Sequence, residues 1–416
     1  MYIKKMKAKT VVALSEVKGY SSIRKKLESK KHSLQFLPQS LLQISKEKNF
    51  EFRGQKLKSA YLVDITHSLI LKYYFKKENR FNLMSTILKE KYGHAYNYYI
   101  EYLVDKKILI LLTDYMAGKN ARIYKINEFV LKNEITRYSN RDGTLLKKYK
   151  NKVSQVEENG IKESLIHRDI RQKLVDDLFY VEVEFDKSIF YLDNLKHNDT
   201  DIYNRNRYSV ECINEKHIFY HFDNYGRFHT NFTILKSFIR KNCLLIDGEE
   251  TCEIDINNSQ PLFLYKLMRD SSSKWINKDE FDLFGYLTME GKYYQYLMDT
   301  LGISSKSEVK NLTYKVLFGR NSMNSKADKM FCKCFPTIHN FIRLYKREMA
   351  DYRILSHELQ RAESNLIFNK IIRELADSYP EIKLVTVHDS IVFQKKHKKT
   401  VEHVFHKNIG EEFKII

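Results

Sequence analysis

Proline and glycine are scarce, at 4 and 13 in 416 residues, which excludes a collagen-like or Pro/Gly-rich low-complexity chain. Cysteine is sparse too. Five of them, odd in number and scattered, make no disulfide framework and fit a reducing compartment. No apolar run approaches the ~18 residues of a membrane-spanning helix. The apolar stretch near the start, residues 10–14, is shorter than the ~7–15 residues of a secretory leader's core. These absences predict a cytoplasmic globular protein with no membrane partner. Acidic residues are outnumbered, 52 Asp+Glu against 72 Lys+Arg, for a net charge of +20. A hydrophobic fraction of 43% is enough for folded cores. The positive balance favours a polyanionic partner through counterion release, and 29 Tyr with 25 Phe supply rings that could stack on bases. A lysine-rich surface that is merely solvated would read the same way, so charge alone does not decide.

Along the chain, residues 1–57 are basic and weakly patterned. From 58 to 131 the pattern sharpens. Helical spacing predicts helices over Ser59–Tyr74, Asn82–Tyr92 and Ala95–Lys107. The apolar β-rich runs Ile108–Leu112 and Ile123–Ile126 then read as a hairpin around Gly118-Lys119-Asn120. Three short helices and a hairpin resemble a winged-helix module. That resemblance implies a third helix in a DNA groove, with Tyr96, Asn97, Tyr98 and Lys106 toward the bases and Lys119 and Arg122 on phosphate. Winged helices also bind proteins, and that reading stays open. Residues 132–200 read as a helical linker or arm, with a helix over Ile161–Leu178, and 201–416 form the remainder.

Three segments in that remainder carry chemistry. Cys252 to Ile256 alternates apolar and acidic residues, as a strand ending at Asp255 would, and Asn257-Asn258-Ser259 with Pro261 signals a helix start. An aspartate at a strand's end could hold a hard cation or cap the helix. Downstream, Leu384–Val387 and Ile391–Phe393 are strong β formers around His388-Asp389-Ser390, which could be a metal site or turn chemistry. Between them, Lys306, Lys310, Tyr314 and Phe318 recur every four residues, so one helix face carries two cations and two aromatics. Two lysines could grip a triphosphate while an aromatic stacks beneath a base.

In this order the three segments resemble the motifs of family A DNA polymerases and of phage-type single-subunit polymerases, over roughly residues 205–416. The resemblance implies an α+β fold: a right-hand palm with an antiparallel sheet, helical fingers and a reduced thumb, here with an amino-terminal winged-helix-like domain. It implies Asp255 and Asp389 as catalytic ligands of two Mg²⁺ ions (Mn²⁺ also suits them), with the Ile256 carbonyl as a further ligand. Lys310 would bind the triphosphate and act as a catalytic proton donor. Lys306, Tyr314, Phe318 and Gln260 would line the nucleotide site, and His388, Gln360, Arg227 and Arg240 would meet primer or template. The implied partners are a DNA primer-template and nucleoside triphosphates, with RNA as an alternative product. The implied setting is phage or mobile-element replication in a bacterial cell.

Departures from the family pattern bear on the sugar. Ser390 follows Asp389 where the DNA-synthesising branch has Glu, and Phe318 replaces the usual Tyr. Aligning Ser259-Gln260 with the family's Ser-Gln puts Leu262 at its Glu position. Lys306 keeps the charge of the family's Arg without its bidentate fork. Two rivals remain, an RNA-synthesising polymerase or primase and a catalytically inactive DNA-binding initiator. Cys332, Cys334 and His339 lack a fourth zinc ligand at any usual spacing and read as incidental.

Overall fold

The computed structural model describes residues 32–76, 78–116, 122–132, 135–149, 166–196, 199–223, 226–271, 276–321, 325–348, 351–387, 389–410 and 415. The chain forms two compact units. One holds 1–159, 183–218 and 234–243; the other holds 160–182, 219–233 and 244–416.

In the first unit, β1 (Ser33–Pro38) is followed by the hairpin β2 (Asn49–Phe52) and β3 (Gln55–Lys58), where the sequence suggested no element. β1 pairs antiparallel with β7 (Ile135–Asn140), about a hundred residues on. Such a partner leaves no local trace in the sequence. Helices α1 (Ser59–Lys76), α2 (Ser85–Tyr92) and α3 (Tyr96–Asp105) precede β5 (Leu109–Thr113) and β6 (Ile123–Ile126), which pair as a hairpin. The second helix starts later than its spacing suggested, because Phe81–Asn82 forms β4 instead and pairs with β6. The hairpin's expected tip, with Lys119, lies outside the described residues.

Apolar residues from all these elements, among them Leu62, Leu69, Tyr99, Leu103 and Ile126, form one core. Asp64 is buried inside it, which is tolerable only with partners. Gln35 (2.7 Å), Tyr92 (2.6 Å) and Lys91 (2.7 Å) provide them, and Tyr149 donates to the same carboxylate. These contacts bind β1, α1 and α2 together. They also outweigh the burial and hold the Asp64 pKa below its ordinary value.

Residues 132–200, expected as one arm, are divided between the units. Helix α4 (Arg168–Asp177) belongs to the second, whereas α5 (Phe185–Lys196) returns to the first and packs on α6 (Thr200–Asn214). Asp199 caps α6 by accepting from the Ile202 amide at 2.9 Å.

The second unit is built on a five-stranded sheet in the order β13-β14-β12-β11-β8. Its strands are β8 (Val181–Val183), β11 (Leu244–Ile246), β12 (Glu249–Asp255), β13 (Leu384–Val387) and β14 (Ser390–Gln394). The pairs β11–β12, β12–β14 and β13–β14 are antiparallel. A separate pair, β9 (Tyr220–Phe222) and β10 (Phe228–Thr230), stands beside it in sequence. Between β12 and β13 the chain is helical: α7 (Ser259–Asp270), α8 (Lys278–Met289), α9 (Tyr293–Leu301), α10 (Lys306–Phe318), α11 (Lys326–Cys334), α12 (Pro336–Glu348), α13 (Ile354–Ser364) and α14 (Arg373–Ser378). Helix α15 (Lys398–Ile409) follows the sheet. Every residue of β13 and β14 is buried, the polar Thr386, Ser390 and Gln394 among them. The fold is thus mixed α and β with an antiparallel sheet.

Candidate active site

Strand β12 ends at Asp255 and α7 begins at Ser259, as the sequence predicts. The turn between them places Asn258 in the left-handed region, at φ 53°. Gly291 packs closely against the preceding residue, since a β-carbon there would lie 2.0 Å from Asn257 Nδ2. On the period of two, Glu253 and Asp255 share one face of β12, opposite buried Ile254. Ser390 stands across from Asp255 in the ladder. Asp389 immediately precedes it, so the two aspartates meet at one end of adjacent strands. His388 lies outside the described residues. Ser390 donates to Glu253 Oε1 at 2.7 Å.

Burial pushes the Asp255 pKa up to about 7, and the charges of Asp389 and Glu253 add to it; Lys310 and the Ile256 amide pull the other way. The Asp255 Oδ1 atom is buried and has no hydrogen-bond partner among the described residues. A buried, unpaired carboxylate oxygen between other carboxylates fits a divalent cation, which would satisfy it and cancel the repulsion. The Ile256 backbone, expected as a further ligand, forms an isolated antiparallel bridge with Ile415.

Helix α10 spans Lys306 to Phe318, with Ser305 as its cap accepting from the Glu308 amide at 3.3 Å. Val309, Leu312, Thr313, Val316 and Leu317 turn inward. The four residues singled out by their spacing therefore share the other side, with both lysines exposed. Tyr314 and Phe318 stack at 5.3 Å, and Lys310 Nζ lies 5.7 Å from the Tyr314 ring centre. Burial raises the Tyr314 pKa, with Lys310 opposing and Asp389 reinforcing the shift. That places this face of α10 within electrostatic reach of the aspartates. The helix is anchored by Tyr293, hydrogen-bonded to Thr313 at 3.2 Å, and by buried Lys346. The Lys346 ammonium donates to the Val316 and Gly319 carbonyls at 2.7 and 2.8 Å. Tyr294, beside Tyr293 on α9, is buried with Tyr314 and Asp389 among its electrostatic neighbours.

Sequence reasoning missed Glu363. It is 2% exposed on α13. Its Oε1 accepts from Arg227 at 2.8 and 3.2 Å, and its Oε2 from Ser259 at 2.9 Å and Gln260 at 2.5 Å. Burial raises its pKa, Arg227 opposes that and Asp389 adds to it. Arg227, expected at nucleic acid, is therefore engaged with a buried carboxylate, and Gln260 faces that carboxylate as well. Gln360 lies one turn before Glu363, half-buried. Past Ser364 the helix widens into a π-helical stretch, Asn365–Ile372, a feature frequent at functional sites. The signal available was Glu-Ser at 363–364 on an otherwise apolar side of α13, which reads as an ordinary helix without its distant partners.

The remaining expected residues lie elsewhere. Arg240 is in the first unit, donating to the Leu235 carbonyl at 2.7 Å. Tyr96 is half-buried and Asn97 exposed at the start of α3. Arg122 is paired with Asp114 at 2.9 Å. His339 faces Asp328 at 3.0 Å rather than the two thiols.

No family model matches the sequence, and no curated protein matches it. A partial structural likeness exists to the POL domain of Pol1 from M. smegmatis, solved in complex with DNA primer-template and dNTP. The identity is 11% and the TM-score 0.34, over 55% of this chain and 54% of that one. The likeness thus spans about half of that domain, and at this distance it carries no argument about the present chain.

Proposed function

We propose that the chain is a template-directed nucleotidyltransferase: a DNA polymerase that adds dNMP units to a primer 3′-hydroxyl. The observation that carries this reading is the meeting of Asp255 and Asp389 at the end of paired strands, with one buried carboxylate oxygen unpaired and Lys310 within electrostatic reach. Asp255 and Asp389 would hold two Mg²⁺ or Mn²⁺ ions, which when bound supply Lewis-acid stabilisation of the attacking and leaving oxygens.

The protein's own part is positioning and charge. Lys306 and Lys310 stand exposed on one face of α10 to receive the triphosphate. Tyr314 and Phe318 offer a stacked aromatic surface to the incoming base. The primer 3′-hydroxyl gives its proton to solvent water as its oxygen attacks the α-phosphorus, the bond to the β-phosphate oxygen breaks, and the Lys310 ammonium gives its proton to the departing pyrophosphate. Glu363, locked by Arg227, Ser259 and Gln260, fixes α13 against α7 and so positions the turn after Asp255. Gln360, one turn away, would meet the primer-template. In the first unit, the order α1, β4, α2, α3, β5, β6 supports a winged-helix module that holds DNA through α3.

Primer extension with dNTPs or rNTPs on a labelled primer-template tests the reading. Incorporation that requires a divalent cation and Asp389 supports it, and the preferred sugar separates DNA from RNA synthesis. DNA binding without incorporation by the wild type overturns it in favour of a binding protein.

A further inference from the structure

A second group of ligand-type side chains lies in the first unit, separate in sequence from the aspartates. His32 Nε2 is 3.3 Å from Glu215 Oε2 and 3.3 Å from His217 Nε2, and His217 Nε2 is 4.0 Å from the same Glu215 oxygen. These separations are long for hydrogen bonds, whose mode is about 2.9–3.0 Å. The two shorter ones match the edges of a coordination shell, since ligands ~2.0–2.1 Å from a tetrahedral zinc ion stand ~3.3 Å from one another, and the 4.0 Å edge is somewhat wider. The two imidazoles are tilted by 56° with centres 4.9 Å apart, so they converge at their nitrogens rather than stack.

The backbone brings the ligands together for a local reason. At the end of α6, Lys216 takes the left-handed conformation, φ 54°, while the Lys216 amide donates to Ile213 and the His217 amide to Cys212. This is the 6→1 and 5→2 closure of a Schellman turn, and Glu215 and His217 flank its reversed residue. Arg137 on β7 grips the other oxygen of Glu215 and lies 3.6 Å from Glu211. A carboxylate fixed in this way presents a single oxygen, as an orienting partner does in metal sites. Glu211 is also bonded to Arg207 at 3.1 Å, so each of these guanidiniums is matched by a carboxylate. The side chains are 32% (His32), 19% (Glu215) and 13% (His217) exposed, enough for an ion to enter.

We propose that His32, Glu215 and His217 bind a zinc-class divalent cation, three protein ligands with the fourth position left to water. Imidazole donors select zinc and its neighbours over magnesium, so this site and the aspartate pair differ in preference. The ion would tie the start of β1 to the end of α6, 183 residues apart in sequence.

The test uses the full chain, stripped with chelator and titrated with Zn²⁺ alone, then with Co²⁺ as a spectroscopic probe. One tightly bound ion per chain, the visible bands of tetrahedral cobalt and a zinc-dependent rise in Tm are expected of the wild type and of Asp389→Asn. His217→Gln should lose the bands and the Tm shift and bind zinc at least about 100-fold more weakly, beyond the 10–100-fold that losing an orienting partner costs. His32→Gln, at the most exposed of the three positions, serves as the second variant where His217→Gln fails to fold. Unchanged zinc affinity and cobalt spectrum in the folded variants, binding lost only in Asp389→Asn, or no wild-type binding at all would each overturn the proposal.

Discussion

Replacing Asp255 by asparagine should stabilise the protein while removing its chemistry. Burial, then Asp389 and Glu253, lift its pKa from 3.8 to about 7, so the folded state binds this proton more tightly than the unfolded chain. Stability that is fully present below pH 3.8 is therefore lost as pH rises through about 7. At ~1.4 kcal/mol per pKa unit the loss is at most about 4 kcal/mol, reduced by whatever water still reaches the site. An amide in the same place carries no charge, and its burial costs about 1–3 kcal/mol where a hydrogen bond is missing. Near pH 8, without divalent cations, Asp255→Asn should exceed the wild type by about 1–3 kcal/mol. Near pH 3.5 that advantage should vanish. Urea unfolding at both pH values measures it, and saturating Mg²⁺ should then raise the stability of the wild type alone. A variant less stable than wild type at pH 8, or one with the same advantage at both pH values, would refute the argument.

Two further outcomes follow from buried charges nearby. Glu363→Ala strands the Arg227 guanidinium and two donors beside α7, and should cost about 3 kcal/mol in urea unfolding, the low end for a broken buried pair because Arg227 keeps some water. Glu363→Gln, which can still accept from Arg227, should cost less. The Lys346 pKa is lowered from 10.5 to about 8, mainly by burial. The unfolded chain therefore holds this proton more tightly, and stability should rise between about pH 8 and 10.5. That local gain should be missing in Lys346→Met, which also releases the end of α10; comparison of alkaline unfolding curves for the two proteins would show it.

What could be read from the sequence is what local chemistry specifies. The strand ending at Asp255, the hairpin around Asp389 and the helix from Lys306 to Phe318 each carry their own period and punctuation, and each forms where expected. The β5–β6 hairpin does so too. Pairings over long separations could not be read. The partnership of β1 with β7, Glu363 with Arg227 at 136 residues apart, and His32 with Glu215 all depend on the finished fold. Arg227 shows how much a distant partner adds to what a local motif implies. Its sequence setting suggests a phosphate, and its structural setting is a buried carboxylate.

Primer extension by the wild type and by Asp389→Asn, with Mg²⁺ and dNTPs on one labelled primer-template, addresses the central claim most directly. Extension by the wild type, falling by at least about 100-fold in the variant while DNA affinity is kept, is the expected result for a group that acts on the transition state. Equal extension by both proteins would contradict the assignment of the paired aspartates as the catalytic centre.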